Sequence, residues 1–287
     1  MPPKTVLVTG ASEGGVGNAL AIAFQKRGLH VFATARKVSK MANLAKLPNV
    51  TLLELDVTSR ASIEAAATAI RSLDPALGGG DKLDILVNNS GQSYLAPLMD
   101  TPIPTMREIF DVNYFGLVET TQILGALVIA AKGTILNVSS LAAEIHAPWM
   151  GTYSASKAAV DKFSETLRLE LIPLGVKVIT LAMGQVKTNM SSGANVQAPK
   201  LSENSLWQVT KEEQARLDAG KKPTGGSSPE AFAKKVVSDV LGGASGRLHR
   251  GHIATTISLL FSILPGWAAD KFLLFATKGQ FELAPRT

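Results

Sequence analysis

A tyrosine and a lysine stand four residues apart in the stretch TYSASKAAVDKF, residues 152–163. In an α-helix this spacing places both side chains on one face, so the ammonium of Lys157 would lie near the phenol of Tyr153. A free phenol has a pKa of about 10 and is a weak acid at neutral pH, but a nearby positive charge lowers that pKa. The pair is therefore a candidate for proton transfer to or from a substrate oxygen.

Two other polar residues are candidates for the same site. Ser140 ends a run typical of a strand, GTILNVSS, and Tyr153 comes 13 residues later. We expect the serine hydroxyl and the phenol to converge at one edge of a sheet, where Ser140 would hold the substrate oxygen. Asn113, in DVNYFG, would hold a water that links Lys157 to solvent. A tyrosine and a lysine at this spacing are common by chance, so the interpretation depends on the rest of the chain.

The elements that must position these residues alternate regularly. Short apolar runs are separated by helix-like segments such as NALAIAFQKRG, which Gly28 closes, and SRASIEAAATAIRSL. Continuous apolar strands that alternate with helices indicate a parallel sheet with helices on both faces, an α/β, doubly wound, Rossmann-like fold. Six such runs precede residue 185: TVLVTG, HVFATAR, VTLLELDV, LDILVNNSG, GTILNVSS and VKVITLAMG.

A glycine-rich turn, VTGASEGGVG at residues 8–17, follows the first predicted strand and opens the first helix. Residues without a Cβ let the backbone approach a pyrophosphate and leave the helix N-terminus aimed at the anion. The alternative is a tight turn that only needs a positive φ. The turn carries one residue more than the pattern TGxxxGxG, so either Gly14 or Gly15 takes the middle glycine's place.

Three further segments are candidates for binding a dinucleotide, and the first of them favours one with a 2′-phosphate. The second predicted strand ends in Arg36 and Lys37, which suit a 2′-phosphate, where an NAD site carries an acidic residue. Solvated loop charges are the alternative. Asp56 ends the third strand and would accept from an adenine amino group or cap the next helix. NNSG, residues 88–91, lies at the carboxyl edge of the sheet, where such folds bind ligands.

Composition excludes several classes of protein. The 287 residues are 46% hydrophobic, enough for a large core, and contain no cysteine, so disulfides and thiolate chemistry are excluded. The four histidines show no metal-ligand spacing, and we expect no metal site. The net charge of +6 is spread along the chain, which argues against nucleic-acid binding. The N-terminus does not resemble a secretory signal, so we expect a cytoplasmic protein.

Two segments break the alternation of strands and helices. Residues 190–226 are polar and aperiodic, and we expect a substrate-covering loop there. Residues 227–243 then read as a helix capped by serine, with Pro229 in its first turn. Pro265 and Gly266 interrupt the apolar stretch 253–276. The apolar part on either side of them is too short to span a membrane. We expect a lid, an interface or a lipid contact through residues 257–276.

Together these motifs resemble the short-chain dehydrogenase/reductase family over about residues 4–255. The resemblance implies one catalytic domain, residues 1–255, with a seven-stranded parallel sheet, and an apolar extension, residues 256–287, packed on it. It implies an NAD(P)(H) cofactor, and Arg36 favours NADPH. It also implies that the chain forms a homodimer or a homotetramer. The implied catalytic set is Asn113, Ser140, Tyr153 and Lys157. The implied cofactor-binding set is Gly10, Ser12, Gly14, Gly15, Val16, Gly17, Arg36, Asp56, Val57, Asn89, Gly91, Tyr153, Lys157, Val186 and Thr188.

Two departures from the family pattern stand out. Ser90 replaces alanine in the NNAG motif, and Met183 replaces proline before Gly184, where the chain leaves the sixth strand. Thr188 still matches the family position that contacts the nicotinamide carboxamide. The second departure leaves the path of the loop after residue 184 open.

Within the family, the stretch TGASEGGVGNALAIAFQKRGLHVFATAR and the apolar extension resemble a fungal group that includes NADPH-dependent 1-acyldihydroxyacetone-phosphate reductase and ketoreductases of secondary metabolism. The resemblance implies reduction of an apolar ketone or aldehyde, and a peripheral location on endoplasmic reticulum or lipid droplets. The alternatives are a dehydrogenase of retinol- or steroid-like alcohols, a non-redox enzyme, and an NADPH-binding sensor.

Overall fold

A computed structural model describes residues 2–188, 196–197, 205 and 225–277 of the chain. Its strands are β1 (Thr5–Val8), β2 (His30–Ala35), β3 (Val50–Glu54), β4 (Ile85–Asn88), β5 (Ser93–Tyr94), β6 (Thr134–Val138), β7 (Lys177–Met183), β8 (Val196–Gln197) and β9 (Gly246–Arg250). Seven of these form one sheet in the order β3-β2-β1-β4-β6-β7-β9 with every pair parallel, and β5 pairs with β8. The predicted seven-stranded parallel sheet is confirmed.

The helices follow the strands in alternation. They are α1 (Val16–Gln25), α2 (Arg60–Ser72), α3 (Ile103–Phe110), α4 (Gly116–Ala130), α5 (Gly151–Leu171), α6 (Pro229–Leu241), α7 (Ala254–Ile263) and α8 (Gly266–Thr277). Helix α6 begins as its sequence predicts, because the Ser228 side chain accepts a hydrogen bond from the Ala231 amide and Pro229 takes the first helical position.

The apolar core lies in two layers, one on each face of the sheet. Alternate residues of β1 point to opposite layers, Val6 and Val8 to one and Leu7 to the other. Helices α1 and α6 cover the first layer, and α2 and α4 cover the second. Burial of both faces explains why the strands read as continuous apolar runs, and it makes the fold doubly wound.

A chain of buried hydrogen bonds ties the middle of the sheet to α5. Asn88 donates to Asn137 Oδ1 at 2.8 Å and to Thr121 Oγ1 at 2.9 Å. Asn137 donates to Ser164 Oγ at 2.9 Å, and that hydroxyl donates to the Val160 carbonyl at 2.7 Å. These side chains are buried, so each depends on its partners for hydrogen bonding. The network fixes α5 against β4 and β6.

The residues of β9 do not by themselves predict a strand. Its sequence, GRLHR, is polar because the strand lies at the edge of the sheet, with one side open for charged side chains. It pairs with β7 in the register Ile179↔Gly246 and Leu181↔Leu248. The seventh strand was expected only from the family resemblance.

The helical run from Ile103 to Ala130, which joins α3 and α4, is long and apolar enough to cross a membrane by length and composition. A helix packed in a protein core passes the same test. Leu117, Leu124 and Leu127 of this run are buried against the sheet and the neighbouring helices, which accounts for its hydropathy. Within the described residues, the stretch 253–276 forms the two short helices α7 and α8.

The C-terminal extension lies beside the segment that follows β6. His146 contacts Asp270 of α8 at 2.9 Å, and Glu144 hydrogen-bonds Ser258 of α7. Residues 278–287 lie outside the described residues, as does almost all of the predicted loop 190–226, so its role as a substrate cover stays a prediction.

Candidate active site

The glycine turn resolves which of two adjacent glycines takes the middle place. Gly10 and Gly14 have φ values of 68° and 77°, a region that L-residues rarely adopt. Gly15 has an ordinary φ of −96° and forms the N-cap of α1. Gly14 is therefore the additional residue of the turn. Gly15 takes the middle glycine's place and forms the GxG pair with Gly17 at the start of the helix.

Close backbone packing explains Gly17. A Cβ there would lie 2.5 Å from the Gly10 oxygen and 2.5 Å from Asn89 Nδ2, closer than real contacts allow. Asn89 pins the turn to β4, because its Nδ2 donates to Thr9 O at 2.8 Å and to Gly10 O at 3.1 Å. The Asn89 amide, directly after β4, thus holds the start of the turn, and Gly17 lets the start of α1 pack closely against it.

The N-terminus of α1 fits an anion. No acidic residue stands in its first turn, and its N-cap, Gly15, has no side chain that could cap the amides. The orphan N–H groups and the helix dipole therefore favour a negative group at this place. Ser12 and Val16 flank the cap, with the Ser12 carbonyl accepting from the Gly15 amide at 3.1 Å. The residues present fit the pyrophosphate of a dinucleotide.

The predicted adenosine-side residues lie at the ends of β2 and β3. Arg36 and Lys37 are exposed directly after β2, and neither forms an ion pair within the part of the chain that the structure describes. Asp56 accepts from the Thr58 amide and hydroxyl at 2.9 and 2.8 Å. The alternative that Asp56 caps α2 is wrong, because Ser59 is the N-cap. Val57, also in the predicted set, is buried.

The structure brings Ser140 and Tyr153 into contact. Ser140 caps the short 3-10 turn Leu141–Ala143, where its hydroxyl accepts from the Ala142 amide at 3.1 Å, and it also hydrogen-bonds the Tyr153 side chain. Tyr153 lies in the first turn of α5 and is 8% exposed. Burial raises the pKa of Tyr153 above its ordinary value, and the Ser140 hydrogen bond opposes that rise.

Lys157 lies one turn further along α5 with its ammonium inside the protein. Its Nζ donates to the Val138 carbonyl, at the end of β6, at 2.9 Å. Burial lowers the pKa of Lys157 to about 8, and the charge of Asp161 acts against that decrease. The ammonium is therefore mostly charged at neutral pH and loses its proton as the pH rises through this value.

Asn113 lies in the π-helical turn Asp111–Phe115 between α3 and α4 and is fully buried. Its Nδ2 donates to Gln92 O and to Ser156 Oγ, both at 3.0 Å, and its Oδ1 accepts from the Gln92 amide at 2.8 Å. The Asn113 side chain thus joins the Gln92 backbone, just before β5, to Ser156 of α5. Its part in a water chain stays a prediction.

Gly91 lies where Asn113 and Lys157 meet. A Cβ at Gly91 would lie 3.3 Å from Asn113 Oδ1 and 3.4 Å from Lys157 Nζ. The NNSG segment therefore reaches the same edge of the sheet as the polar residues of α5. Glycine at this position leaves open the space beside the ammonium.

The chain leaves β7 by a path that the structure describes as far as Thr188. The Gly184 amide donates to Arg250 O at 2.8 Å, and a Cβ at Gly184 would lie 2.6 Å from His252 O. The glycine of the departing Met-Gly pair is thus required by close contact with the end of β9. Val186 then pairs with Ser227 and is buried.

Sequence reasoning did not identify a second set of charged residues behind the site. Arg247 of β9 contacts Asp161 of α5 at 2.8 Å and Glu144 at 3.0 Å. Asp161 stands four residues after Lys157, a spacing that places both on one helix face and was available as a signal. No spacing in the sequence marked Arg247 as a partner of these residues, because the sequence pattern did not predict strand β9.

Comparisons with known proteins assign this fold and site to a family. A family model described as short chain dehydrogenase matches residues 4–198. A short-chain dehydrogenase of Penicillium ochrochloron is 41% identical over 270 residues, which is 94% of this chain and 96% of that protein. The chain belongs to the short-chain dehydrogenase family and is an oxidoreductase of a class that uses nicotinamide dinucleotides and acts on small molecules.

Two further similarities concern the cofactor. The chain is 39% identical over 207 residues to an NADPH-dependent 1-acyldihydroxyacetone phosphate reductase of Schizosaccharomyces pombe, covering 71% of this chain and 68% of that protein. A crystal structure of a short chain dehydrogenase from Burkholderia cenocepacia in complex with NADP superposes with a TM-score of 0.69 at 27% identity, covering 96% of this chain and 97% of that one.

The close approach at Gly17 makes a testable prediction. Gly17→Ala forces a methyl group into the Gly10 carbonyl, so we expect NADPH and NADH affinity to fall by at least about tenfold, the effect of roughly 1.4 kcal/mol. Nucleotide fluorescence titration measures this. Gly125→Ala is the matched control, because a Cβ there meets nothing within 4 Å and a helical alanine is favourable. Unchanged affinity in Gly17→Ala would contradict the phosphate-cradle assignment.

Proposed function

We propose that the protein is an NADPH-dependent carbonyl reductase that transfers a hydride to an apolar ketone or aldehyde. The observation that carries this proposal is the contact of Ser140 with Tyr153 one helical turn from the buried Lys157 ammonium, at the sheet edge that also holds the glycine turn. An acyl-dihydroxyacetone phosphate or a fungal secondary-metabolite intermediate fits this class of substrate.

Each residue of the proposed site has a separate task. The Tyr153 hydroxyl donates its proton to the carbonyl oxygen, and the Ser140 hydroxyl donates a hydrogen bond that holds the same oxygen. When bound, the reduced nicotinamide supplies the hydride for the carbonyl carbon. The Lys157 ammonium, one helical turn away, would favour the ionised phenol that remains after proton transfer. Asn113 keeps the Gln92 segment in place beside the ammonium.

The preference for NADPH rests on the exposed cations after β2. Arg36 and Lys37 follow the strand where a ribose-binding carboxylate would stand in an NAD site, and both are available to a 2′-phosphate. The NADPH-dependent relative and the NADP-bound structural neighbour support this preference. An alcohol dehydrogenase of retinol- or steroid-like substrates, the second candidate, would instead favour NAD.

Replacing the cation tests the cofactor. Arg36→Asp removes a charged hydrogen bond and adds a repulsion, so we expect NADPH affinity to fall about 10- to 100-fold with NADH affinity unchanged or higher. Thermal-shift titration with both nucleotides measures this, because a ligand that binds only the native state raises apparent stability. Lys4→Asp, the same charge change on an exposed residue before β1, is the control. Equal losses for both nucleotides would refute the 2′-phosphate contact.

Removing the phenolic oxygen tests the chemistry. With a panel of apolar ketones and aldehydes, we expect Tyr153→Phe to lower kcat by about 10²- to 10⁴-fold while NADPH affinity stays within a few-fold, because the proton donor alone is lost. Tyr114→Phe is the matched control, since that phenol lies outside the cluster and packs on Phe115 and Phe163. Turnover by Tyr153→Phe at the wild-type rate would contradict the mechanism.

We also propose that the protein works inside the cell and contacts lipid through the C-terminal helices. Support comes from a set of exposed large apolar side chains on α7 and α8. The set is Leu259, Ile263, Trp267, Leu274 and Phe275.

Vesicle binding tests this contact. We expect the full chain to sediment with phosphatidylcholine vesicles, and Trp267→Ser with Phe275→Ser to weaken binding by about tenfold or more, because each large apolar side chain contributes about 1.5–3 kcal/mol on burial. Leu169→Ser, at an exposed leucine of α5, is the control. A wild-type chain that stays in the supernatant would exclude the lipid contact.

A further inference from the structure

A cluster of charged side chains lies directly behind the proposed catalytic lysine. Asp161 follows Lys157 by one turn of α5 and is 6% exposed. Arg247 of β9 bridges two carboxylates, with Nη2 2.8 Å from Asp161 Oδ2 and Nη1 3.0 Å from Glu144 Oε1. His249 Nε2 lies 2.8 Å from the same Glu144 oxygen.

The second oxygen of Asp161 is buried and has no hydrogen-bond partner within the described residues. Ser139 lies beside this carboxylate, but its hydroxyl donates to the Lys157 carbonyl at 3.3 Å. An ionised oxygen buried in this way is unfavourable unless a positive charge lies near it. Arg247 supplies one charge, and the Lys157 ammonium, on the same helix face, supplies the other.

The effects on the two pKa values agree with this pairing. Burial lowers the pKa of Lys157, and the Asp161 charge opposes the decrease. Burial and the negative charge of Glu144 raise the pKa of Asp161, and Ser139, Arg247 and Lys157 oppose that rise. Each group therefore favours the charged form of the other. Without the carboxylate, the ammonium would keep only the Val138 carbonyl among the partners described here.

Glu144 connects this cluster to the serine of the site. It follows Ser140 by four residues, at the end of the 3-10 turn that Ser140 caps. Although burial alone would raise the pKa of Glu144, its hydrogen bonds with Ser258 and His249 and the charge of Arg247 hold it below the ordinary value. Glu144 is therefore a stable anion that attaches the Ser140 segment to Arg247, and through Arg247 to α5.

We propose that Asp161, held in place by Arg247 and Glu144, is a positioning residue that keeps the Lys157 ammonium charged and the Ser140 segment aligned with α5. This inference rests on the proposed reductase function for its catalytic meaning. Since Lys157 acts only in its protonated form, reduction slows as the pH rises through the lysine's pKa. Loss of the Asp161 charge lowers that pKa, so the decline moves to lower pH.

Other charged groups near Asp161 set the background for this titration. They come from α5, from the turn after β6 and from β9: Lys157, Glu165, Glu144, Arg247 and His249. Glu165 bonds Thr180 and Arg168, and so is already compensated. Asp161 is the carboxylate that stands one helical turn from the ammonium.

Direct titration of Lys157 tests the counter-charge without any substrate. In protein labelled with ¹³C at lysine Cε, Lys157 is assigned as the resonance missing from Lys157→Met, and we expect it to titrate near pH 8. In Asp161→Asn we expect its midpoint to fall by about one pH unit, and in Asp161→Glu to return toward the wild-type value. Asp239→Asn is the matched control, because it removes a carboxylate paired with another arginine of β9, Arg250.

The pH profile of NADPH-linked ketone reduction then tests the catalytic consequence. We expect the alkaline decline of kcat in Asp161→Asn to move down with the Lys157 midpoint, and NADPH binding at pH 6 to be retained. If Asp161→Asn does not fold, the double variant Asp161→Asn with Arg247→Met removes both charges of this pair, while Glu144 keeps its hydrogen bonds with Ser258 and His249. We then expect a smaller shift of the same sign, because loss of the more distant Arg247 cation acts against loss of the carboxylate.

Each outcome has a distinct meaning. A lower melting temperature with an unchanged Lys157 midpoint would show that Asp161 is only structural, and the inference would be overturned. A shifted midpoint with an unmoved rate profile would overturn its catalytic part. If the wild-type protein reduces no carbonyl compound, the proposed function fails, while the lysine titration still decides whether Asp161 holds the ammonium charged.

Discussion

The buried ammonium of Lys157 is the constraint on which the rest of the site depends. A cation removed from water is unfavourable unless oxygen atoms surround it, and the chain places the Val138 carbonyl 2.9 Å from Nζ. That contact joins α5 to the end of β6, the strand that also leads to Ser140. The same helix carries Tyr153, so placement of the ammonium sets the phenol and the serine hydroxyl relative to each other.

Parallel strands bring the two halves of the site together. Their carboxyl ends meet at one edge, where the glycine turn after β1 and the NNSG segment after β4 become neighbours. Asn89 holds the first of these segments through Thr9 and Gly10, and Asn113 holds the continuation of the second through Gln92. Two side-chain amides thus hold both loop segments of the site in place at the edge of the sheet.

The C-terminal part of the chain contributes to the site from behind. Arg247 on the edge strand β9 forms ion pairs with both Glu144 and Asp161. Helices α7 and α8 contact the segment after Ser140 through Ser258 and Asp270. The same two helices carry exposed apolar side chains, among them Leu259 and Trp267. The proposed lipid contact through these helices would thus act near the segment that follows Ser140.

Local pattern was enough to identify the alternation of strands and helices, the cap of α6 and the Tyr153–Lys157 pair, because these depend on periodicity and near-neighbour spacing. It did not identify β9, whose polar residues become a strand only by pairing with β7, or the use of Gly14 and Gly15 in the turn. Nor did it show that burial shifts the pKa of Tyr153 upward and that of Lys157 downward, or that Arg247 meets Asp161. Those features depend on contacts between residues far apart in the chain and on exclusion of water, which arise only when the sheet is assembled.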